Sequence, residues 1–320
     1  MRSWAEKPYH SLDYELKQRF GGKIYKLTLN GGMSCPNRDG KLSFGGCIFC
    51  SAGGSGEFAS SAALSIPEQL TDAKKRLLGK RAVNRYIAYF QAYTNTYGPI
   101  EYLRKIFTEA MDDPEVVLLS IATRPDCLPD EVIALLAELN QKKPVWVELG
   151  LQTIHESSAR FIRRGYPLSV FADAVKRLTE RGIEVVTHVI LGLPWETNEM
   201  MLETIDYLNT LPIQGVKLQL LHILEGTDLA SYYRTVGFHV LTEEEYVNLI
   251  LCCIEHLRPE ITIHRITGDG PKELLIAPLW SSAKRSVLNH IHHEMKLKDS
   301  WQGKYLEQKG EAHGRSTDSL

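Results

Sequence analysis

Short apolar runs recur along this chain, as in Val116-Val117-Leu118-Leu119-Ser120-Ile121-Ala122 and, further on, in Val145-Trp146-Val147-Glu148-Leu149-Gly150-Leu151. Between these apolar runs, Val132, Ile133, Leu135, Leu136 and Leu139 follow Pro129-Asp130 at helical spacing. Short, near-continuous apolar runs are typical of parallel strands that are buried on both faces. The stretch therefore predicts one strand–helix–strand unit of a parallel sheet.

The same alternation continues on both sides of this unit, and six strand–helix pairs fit within residues 23–237. Six are too few for a closed eight-stranded barrel, so an open doubly wound sheet and a partial barrel both remain. In either fold, ligands bind at the carboxyl ends of the strands. The other predicted strands are Lys23–Leu29, Arg85–Gln91, Glu184–Leu191, Val216–Leu221 and Ile261–Thr267.

Composition places the 320 residues among ordinary globular proteins, with 43% hydrophobic residues, 24% charged residues and a net charge of −2. No apolar run approaches the ~20 residues of a membrane span. The first residues lack the apolar core of a signal peptide, so we expect a cytoplasmic protein. Six cysteines then do not indicate a disulfide framework.

Charge is distributed unevenly along the chain. Lysine and arginine outnumber aspartate and glutamate in residues 1–30 and 271–309, whereas residues 31–270 are acidic. Such a gradient fits either a polyanionic partner or solvated basic faces.

A glycine-rich loop follows the first predicted strand and carries Cys35, Cys47 and Cys50 in a C-x11-C-x2-C arrangement. Long irregular loops in compact domains are usually functional. Three soft thiolates suit zinc or an iron–sulfur cluster. Structural zinc would need a fourth ligand, and no cysteine or histidine follows at zinc-finger spacing. Three interpretations remain open: cysteines without metal, a zinc site, and a [4Fe–4S] cluster with one open iron.

Several phrases together resemble the radical S-adenosylmethionine (SAM) superfamily, in the branch that includes the elongator catalytic subunit. That superfamily usually spaces its cluster cysteines C-x3-C-x2-C, and longer first gaps occur in this branch. The resemblance covers about residues 20–300. Its phrases are Lys26-Leu27-Thr28-Leu29, Ser34-Cys35-Pro36-Asn37-Arg38-Asp39-Gly40, Tyr89-Phe90-Gln91-Ala92-Tyr93-Thr94, Thr123-Arg124-Pro125-Asp126, Glu148-Leu149-Gly150-Leu151-Gln152-Thr153 and Gly192-Leu193-Pro194.

The resemblance implies an α/β fold, a partial (βα)6 TIM-type barrel over residues 23–240 with a cluster loop at 31–50. A segment at 1–22 would precede it, and an α/β extension at 241–305 and a flexible tail at 306–320 would follow. It also implies a [4Fe–4S] cluster held by the three cysteines, with SAM on the open iron. An external electron donor of the flavodoxin or ferredoxin type would reduce the cluster, which cleaves SAM to methionine and a 5′-deoxyadenosyl radical.

The same resemblance assigns cofactor contacts at strand ends. Glu148 and Gln152 would contact the ribose and methionine of SAM, and Gly192 would let the adenine approach the backbone. Arg163, or equally Arg164, would pair with the SAM carboxylate. The alternatives are a Glu148–arginine pair inside the barrel, a turn glycine and a solvated helix face.

Arg124, Asp126 and His222 follow the third and sixth strands, where substrate would lie, although each could instead be a structural partner. Cys127, Cys252 and Cys253 are not expected to be ligands, and the last two are expected to be small core residues because they lie on an apolar helix. His188 lies within an apolar strand and is expected to be a core histidine.

The branch points to tRNA as substrate, and specifically to remodelling of the carboxymethylaminomethyl group on the wobble uridine. Aromatic and basic residues alternate in Ile276–Lys304, which could contact RNA or form an amphipathic helix closing the barrel. Two alternatives remain: a radical enzyme acting on a small molecule or tetrapyrrole-type precursor, and a non-enzyme iron–sulfur or zinc protein that binds RNA or senses redox state.

Overall fold

A computed structural model describes residues 2–54, 56–77, 84–268 and 270–309 of the chain. Seven strands form one parallel sheet in the order β1-β2-β3-β4-β5-β6-β8, and β7 and β9 form a separate antiparallel pair. The strands are β1 (Tyr25–Leu29), β2 (Tyr86–Phe90), β3 (Val116–Thr123), β4 (Val145–Gln152), β5 (Glu184–Leu191), β6 (Gly215–Leu220), β7 (Ile223–Leu224), β8 (Thr262–Arg265) and β9 (Leu275–Ala277).

Helices connect the successive parallel strands of this sheet and pack against them. Thr197 and Thr242 cap the helices that follow them, the second in a capping box with Glu245. The helices are α1 (Leu12–Phe20), α2 (Ile66–Lys75), α3 (Ile100–Asp112), α4 (Asp130–Asn140), α5 (Glu156–Phe161), α6 (Leu168–Thr179), α7 (Asn198–Asn209), α8 (Asp228–Thr235), α9 (Glu243–His256) and α10 (Lys284–Leu297).

All seven predicted strands are present, with ends within two residues of the prediction, and Glu184–Leu191 matches at both ends. Strand order follows chain order without the reversal that defines a doubly wound sheet. The sheet curls into a half-barrel, which confirms the partial TIM-type barrel and its C-terminal α/β extension.

An apolar plug seals the barrel at the amino-terminal ends of the strands. Ile24, Ile87, Leu118 and Trp146 meet there with Leu16 of α1, which packs across the opening. Because this end is closed by hydrocarbon, the interior is accessible from the carboxyl ends of the strands. That is where the cysteine loop leaves β1.

The predicted chain divisions can be compared with the structure at both termini. The N-terminal segment bonds to the C-terminal extension, since Ser11 pairs with Ile263 and the His10 amide donates to Gln302 Oε1 at 2.8 Å. Of the predicted tail, residues 306–309 belong to a helical stretch over 304–309, and 310–320 lie outside the described residues. Among the described residues, no helix is long and apolar enough to cross a membrane.

Candidate functional site

The cysteine loop is held over the carboxyl ends of the strands by its own turns and by two outside contacts. The Cys35 carbonyl accepts from the Arg38 amide at 2.7 Å, and the Cys47 carbonyl accepts from the Cys50 amide at 2.9 Å. Gly46, at a φ of 86°, adopts the left-handed region that favours glycine. Ile48 exchanges backbone hydrogen bonds with Ile162 and Leu229, which fixes the loop against α5 and α8.

Cys35, Cys47 and Cys50 line one cavity of about 260 Å³, together with the carboxyl ends of the barrel strands. All three are partly accessible, and none of them forms a disulfide within the described residues. In the described part of the chain, no three histidine, cysteine, aspartate or glutamate side chains converge on one metal ion. The structure thus brings the three predicted ligands to one cavity without closing them around a single atom.

Polar groups of the loop are directed at these cysteines. Asn37 is buried, and its Nδ2 donates to the Arg163 carbonyl at 2.7 Å and to Cys47 Sγ at 3.5 Å. Burial raises the pKa of Cys47 to about 12, so without a metal this thiol is neutral at pH 7. Amide donors beside ligand sulfurs orient such ligands and tune the potential of an iron–sulfur cluster.

A charged layer lies inside the barrel, below the mouth and above the apolar plug. Glu148 is wholly buried, and its Oε1 accepts from Lys26 Nζ and from Ser120 Oγ, each at 2.8 Å. Its Oε2 accepts from His188 Nε2 at 2.7 Å and contacts the Lys217 ammonium. Lys217 Nζ also donates to the Tyr89 hydroxyl at 3.1 Å.

The proton positions in this layer follow from burial and charge. Burial alone would raise the pKa of Glu148, but Lys217 and Lys26 hold it well below its usual range, so the carboxylate is ionised. Burial and Lys217 lower the pKa of His188 to about 4, so this imidazole is neutral at pH 7. His188 therefore donates through Nε2–H to Glu148 and accepts at Nδ1 from Gln219 Nε2, 3.4 Å away.

These contacts bear directly on the predicted ribose contact of Glu148. A carboxylate offers about four acceptor positions, and four donors already surround this one. The arrangement matches the alternative interpretation of an ion pair inside the barrel, with two lysines in the place of the expected arginine. A SAM hydroxyl could bind Glu148 only by displacing one of these donors.

The other predicted cofactor residues lie in different environments. Gln152 lines the cavity at the end of β4, with a φ of 67° that is rare outside glycine. Gly192 has a φ of 84°, and a Cβ there would lie 3.1 Å from Leu241, so a tight turn accounts for this glycine. The Arg163 side chain is exposed and pairs with Asp228 of α8, whereas Arg164 is buried and lines the cavity.

The candidate catalytic residues also lie in different environments. Arg124 lines the cavity and forms a bidentate ion pair with Asp126, at 2.9 Å and 2.8 Å. His222 also lines the cavity, and a Cβ on Gly268 would lie 2.3 Å from its Cε1, so only glycine permits this packing. Asp126 thus holds the Arg124 side chain in place at the cavity wall, and His222 lies on the same wall.

Two cavity residues, Lys217 and Tyr89, are not among the site residues that the sequence predicts, and the sequence predicts His188 only as a core histidine. Arg164 donates to the carbonyls of Leu151 and Thr153, which fixes the end of β4. A signal for Lys217 exists, because lysine and glutamine alternate with apolar residues in Val216-Lys217-Leu218-Gln219-Leu220. That alternation marks a strand with one polar face.

The curled parallel half-barrel and the three cysteines after its first strand can be compared with known protein families. Residues 35–208 match the Radical SAM superfamily and residues 213–297 match the Radical_SAM C-terminal domain. The chain belongs to the radical SAM superfamily, whose members generally use SAM and a [4Fe–4S] cluster. Both the family and the enzyme prediction are confirmed, and the non-enzyme alternative is set aside.

The chain is also similar to individual proteins and to a solved structure. The chain is 46% identical to "Uncharacterized protein YtqA" of Bacillus subtilis (strain 168) over 95% of its own length and 94% of that protein. It is 26% identical to the "tRNA uridine(34) acetyltransferase" of Methanocaldococcus infernus over 61% of its own length and 34% of that protein. The fold resembles the solved archaeal Elp3 of Methanocaldococcus infernus, with a TM-score of 0.66 at 18% identity, covering 87% of this chain and 64% of that one.

Proposed function

We propose that this chain is a radical SAM enzyme that modifies the 5-substituent of the wobble uridine in tRNA, remodelling its carboxymethylaminomethyl group. The observation that carries the proposal is a single cavity which joins three cysteines at its mouth to a charged layer at its floor. The cavity continues outward into a groove with basic residues on its wall.

The residues present fit a [4Fe–4S] cluster. Cys35, Cys47 and Cys50 provide three soft ligands and leave one iron for SAM. Asn37 supports this arrangement because its amide lies against Cys47. When bound and reduced by a flavodoxin- or ferredoxin-type donor, cluster and SAM supply the radical that removes a hydrogen atom from substrate.

Among the strand-end residues, Gln152 is the best candidate for a SAM contact, since its side chain lines the cavity. Arg164 holds the backbone of β4 in place beneath the proposed SAM position. Arg124, 8% exposed, presents the outer side of its ion pair to the same space. These side chains would orient SAM and exclude water from it.

The groove supports a polynucleotide partner. It shares Glu57, Phe58, Gly268, Gly270 and Pro271 with the cavity, so the two are continuous. Its far wall includes Lys284 and Arg285 at the start of α10. A nucleotide inserted into the cavity would therefore leave its flanking phosphates near basic side chains.

The position of the groove limits which part of residues 276–304 would contact RNA. Val287, Ile291 and Met295 of α10 are buried, which agrees with the amphipathic-helix interpretation. Arg285 is exposed on the opposite side, at the groove. Lys296 and Lys298 lie at the other end of the helix, about 20 Å away at 1.5 Å per residue. Only the first turn of α10 therefore adjoins the proposed RNA path.

The tRNA assignment is supported by relatives whose names specify uridine 34 of tRNA. We expect that a strain lacking this chain accumulates tRNA with carboxymethylaminomethyluridine at the wobble position and loses the later derivatives. Mass spectrometry of nucleosides from total tRNA measures both species. An unchanged set of wobble nucleosides would contradict the tRNA assignment and favour the small-molecule alternative.

Replacing Lys284 and Arg285 together with alanine is expected to weaken tRNA binding and to reduce its dependence on salt. The logarithmic salt slope should fall by roughly 1 for each phosphate contact that is lost. Fluorescence anisotropy with a labelled anticodon stem-loop at several salt concentrations measures both effects. The matched control is the double variant Lys296→Ala/Lys298→Ala, for which we expect wild-type binding. Equal effects of the two double variants would contradict the proposed path.

A further inference from the structure

The charged layer at the floor of the cavity contains more cationic than anionic side chains. Lys26 Nζ lies 2.8 Å from Glu148 Oε1, and the Lys217 ammonium contacts Oε2 of the same carboxylate. Among the described residues, no second carboxylate lies within ion-pair distance of either ammonium group. His188, the remaining titratable partner of Glu148, is a neutral donor at pH 7. Two lysine side chains therefore share one carboxylate, and burial holds the pKa of Lys217 well below its usual range although Glu148 opposes that shift.

Burial makes this imbalance costly. The Glu148 side chain is wholly inaccessible and that of Lys217 is only 6% exposed. A charge removed from water is tolerated when it is paired and hydrogen-bonded, and an unpaired excess is destabilising. A second anion beside the two lysines would balance the layer.

The layer is reachable from the side where substrate enters. Tyr89, His188, Lys217 and Gln219 all line the cavity whose mouth carries the three cysteines. An ammonium group has three N–H donors. Lys217 directs one at Glu148 and one at the Tyr89 hydroxyl, so it keeps capacity for a third acceptor.

We propose that this layer is an anion subsite, in which Lys217, supported by the field of Lys26, binds the carboxylate of the substrate. The inference rests on the proposed function, because the carboxymethylaminomethyl group ends in a carboxylate. With the uridine ring at the mouth, its 5-substituent would extend toward the floor. Lys26 acts here as a positioning residue, since it is not among the residues that line the cavity.

A matched pair of RNA ligands tests the subsite. One anticodon stem-loop carries carboxymethylaminomethyluridine, and the other carries its carboxamide, which has nearly the same shape and no charge. Wild-type holoenzyme should bind the carboxylate form about tenfold more tightly, because one charge-assisted hydrogen bond in a buried site contributes about that much affinity. Lys26→Met should bring the ratio of the two dissociation constants close to 1. This variant leaves Glu148 paired with Lys217, so it creates no unpaired buried carboxylate.

Controls separate the possible outcomes. Lys23 is an exposed lysine just before β1, the strand that carries Lys26. Lys23→Met should therefore keep the wild-type ratio of the two dissociation constants. Lys217→Met should also abolish the preference, and Lys26→Met supplies the answer if Lys217→Met fails to fold.

A carboxylate is also present in SAM itself, so SAM affinity is measured in parallel. If Lys26→Met weakens SAM binding while the RNA ratio persists, the subsite belongs to the cofactor and the proposal is wrong. If both stem-loops bind wild-type protein equally, the subsite proposal fails alone, and if neither binds, the proposed function fails with it.

Discussion

Alanine at Cys35, Cys47 or Cys50 is expected to abolish both the cluster and the cleavage of SAM. Each of these cysteines lines the cavity, and together they would provide the three soft ligands of the proposed cluster. Wild-type protein reconstituted without oxygen should hold about four iron and four sulfide. After reduction it should convert SAM to methionine and 5′-deoxyadenosine. Each of the three variants should lose the absorbance and the electron paramagnetic resonance signal of the cluster, together with detectable 5′-deoxyadenosine.

Cys252→Ala is the matched control, because Cys252 lies outside the set of residues that line the cavity. Of the two cysteines predicted in the core, Cys253 is buried, whereas the prediction for Cys252 is wrong because its side chain is exposed on α9. The Cys252→Ala variant should retain the wild-type iron content and SAM cleavage. Stoichiometric zinc with no iron uptake would contradict the cluster assignment. S-adenosylhomocysteine without 5′-deoxyadenosine would instead indicate methyl transfer.

The second large effect is expected at Glu148. Replacing it with alanine removes the one carboxylate that Lys26 and Lys217 share, and leaves two ammonium groups in a buried layer. Breaking a buried ion pair from one side typically costs about 3–5 kcal/mol of folding free energy. Urea unfolding followed by tryptophan fluorescence at pH 7 measures this loss. Glu138→Ala removes the exposed partner of Arg104 and should leave the unfolding midpoint unchanged.

The same layer predicts sensitivity to acid. The pKa of His188 is about 4 in the folded chain and near 6.5 when unfolded, so between these values the unfolded state binds more protons and stability falls as pH decreases. The pKa of Glu148 is also lowered by folding, which removes further stability below about pH 4.5. Unfolding midpoints should therefore drop from pH 7 to pH 5, and His188→Gln should reduce that drop. An equal drop in the variant would contradict the assigned state of His188.

The tertiary structure places Glu148 in a different environment from the one that the sequence predicts. From the sequence, Glu148 and Gln152 flank the end of a predicted strand in the phrase Glu-Leu-Gly-Leu-Gln-Thr, and a SAM contact follows from the family resemblance. In the structure its side chain points inward one layer below the mouth, among donors from four other strands. Loss of Glu148 is therefore expected first as instability, and only then as weaker cofactor binding.

The tertiary structure also places Arg163 and Arg164 in different environments. These neighbours are equivalent in the sequence, and either could face a SAM carboxylate. Arg163 has a φ of 57°, which turns the chain so that its side chain meets Asp228 at the surface. Arg164 is buried and donates to carbonyls at the end of β4. Backbone conformation at one residue decided which arginine lines the cavity.

The sequence alone determined the seven strands of the sheet, their parallel direction, the cysteine loop and the family. These features depend on local signals, because buried parallel strands are short apolar runs and the cysteines lie within 16 consecutive residues, 35–50. The β7–β9 pair was missed, since strands of two and three residues carry no periodicity. Only the tertiary structure decided the partners of Glu148, the closed amino-terminal end and the continuity of cavity and groove. Each of these depends on how strands far apart in the chain align around the barrel, and register is set by packing of the whole core, which no single stretch of residues encodes.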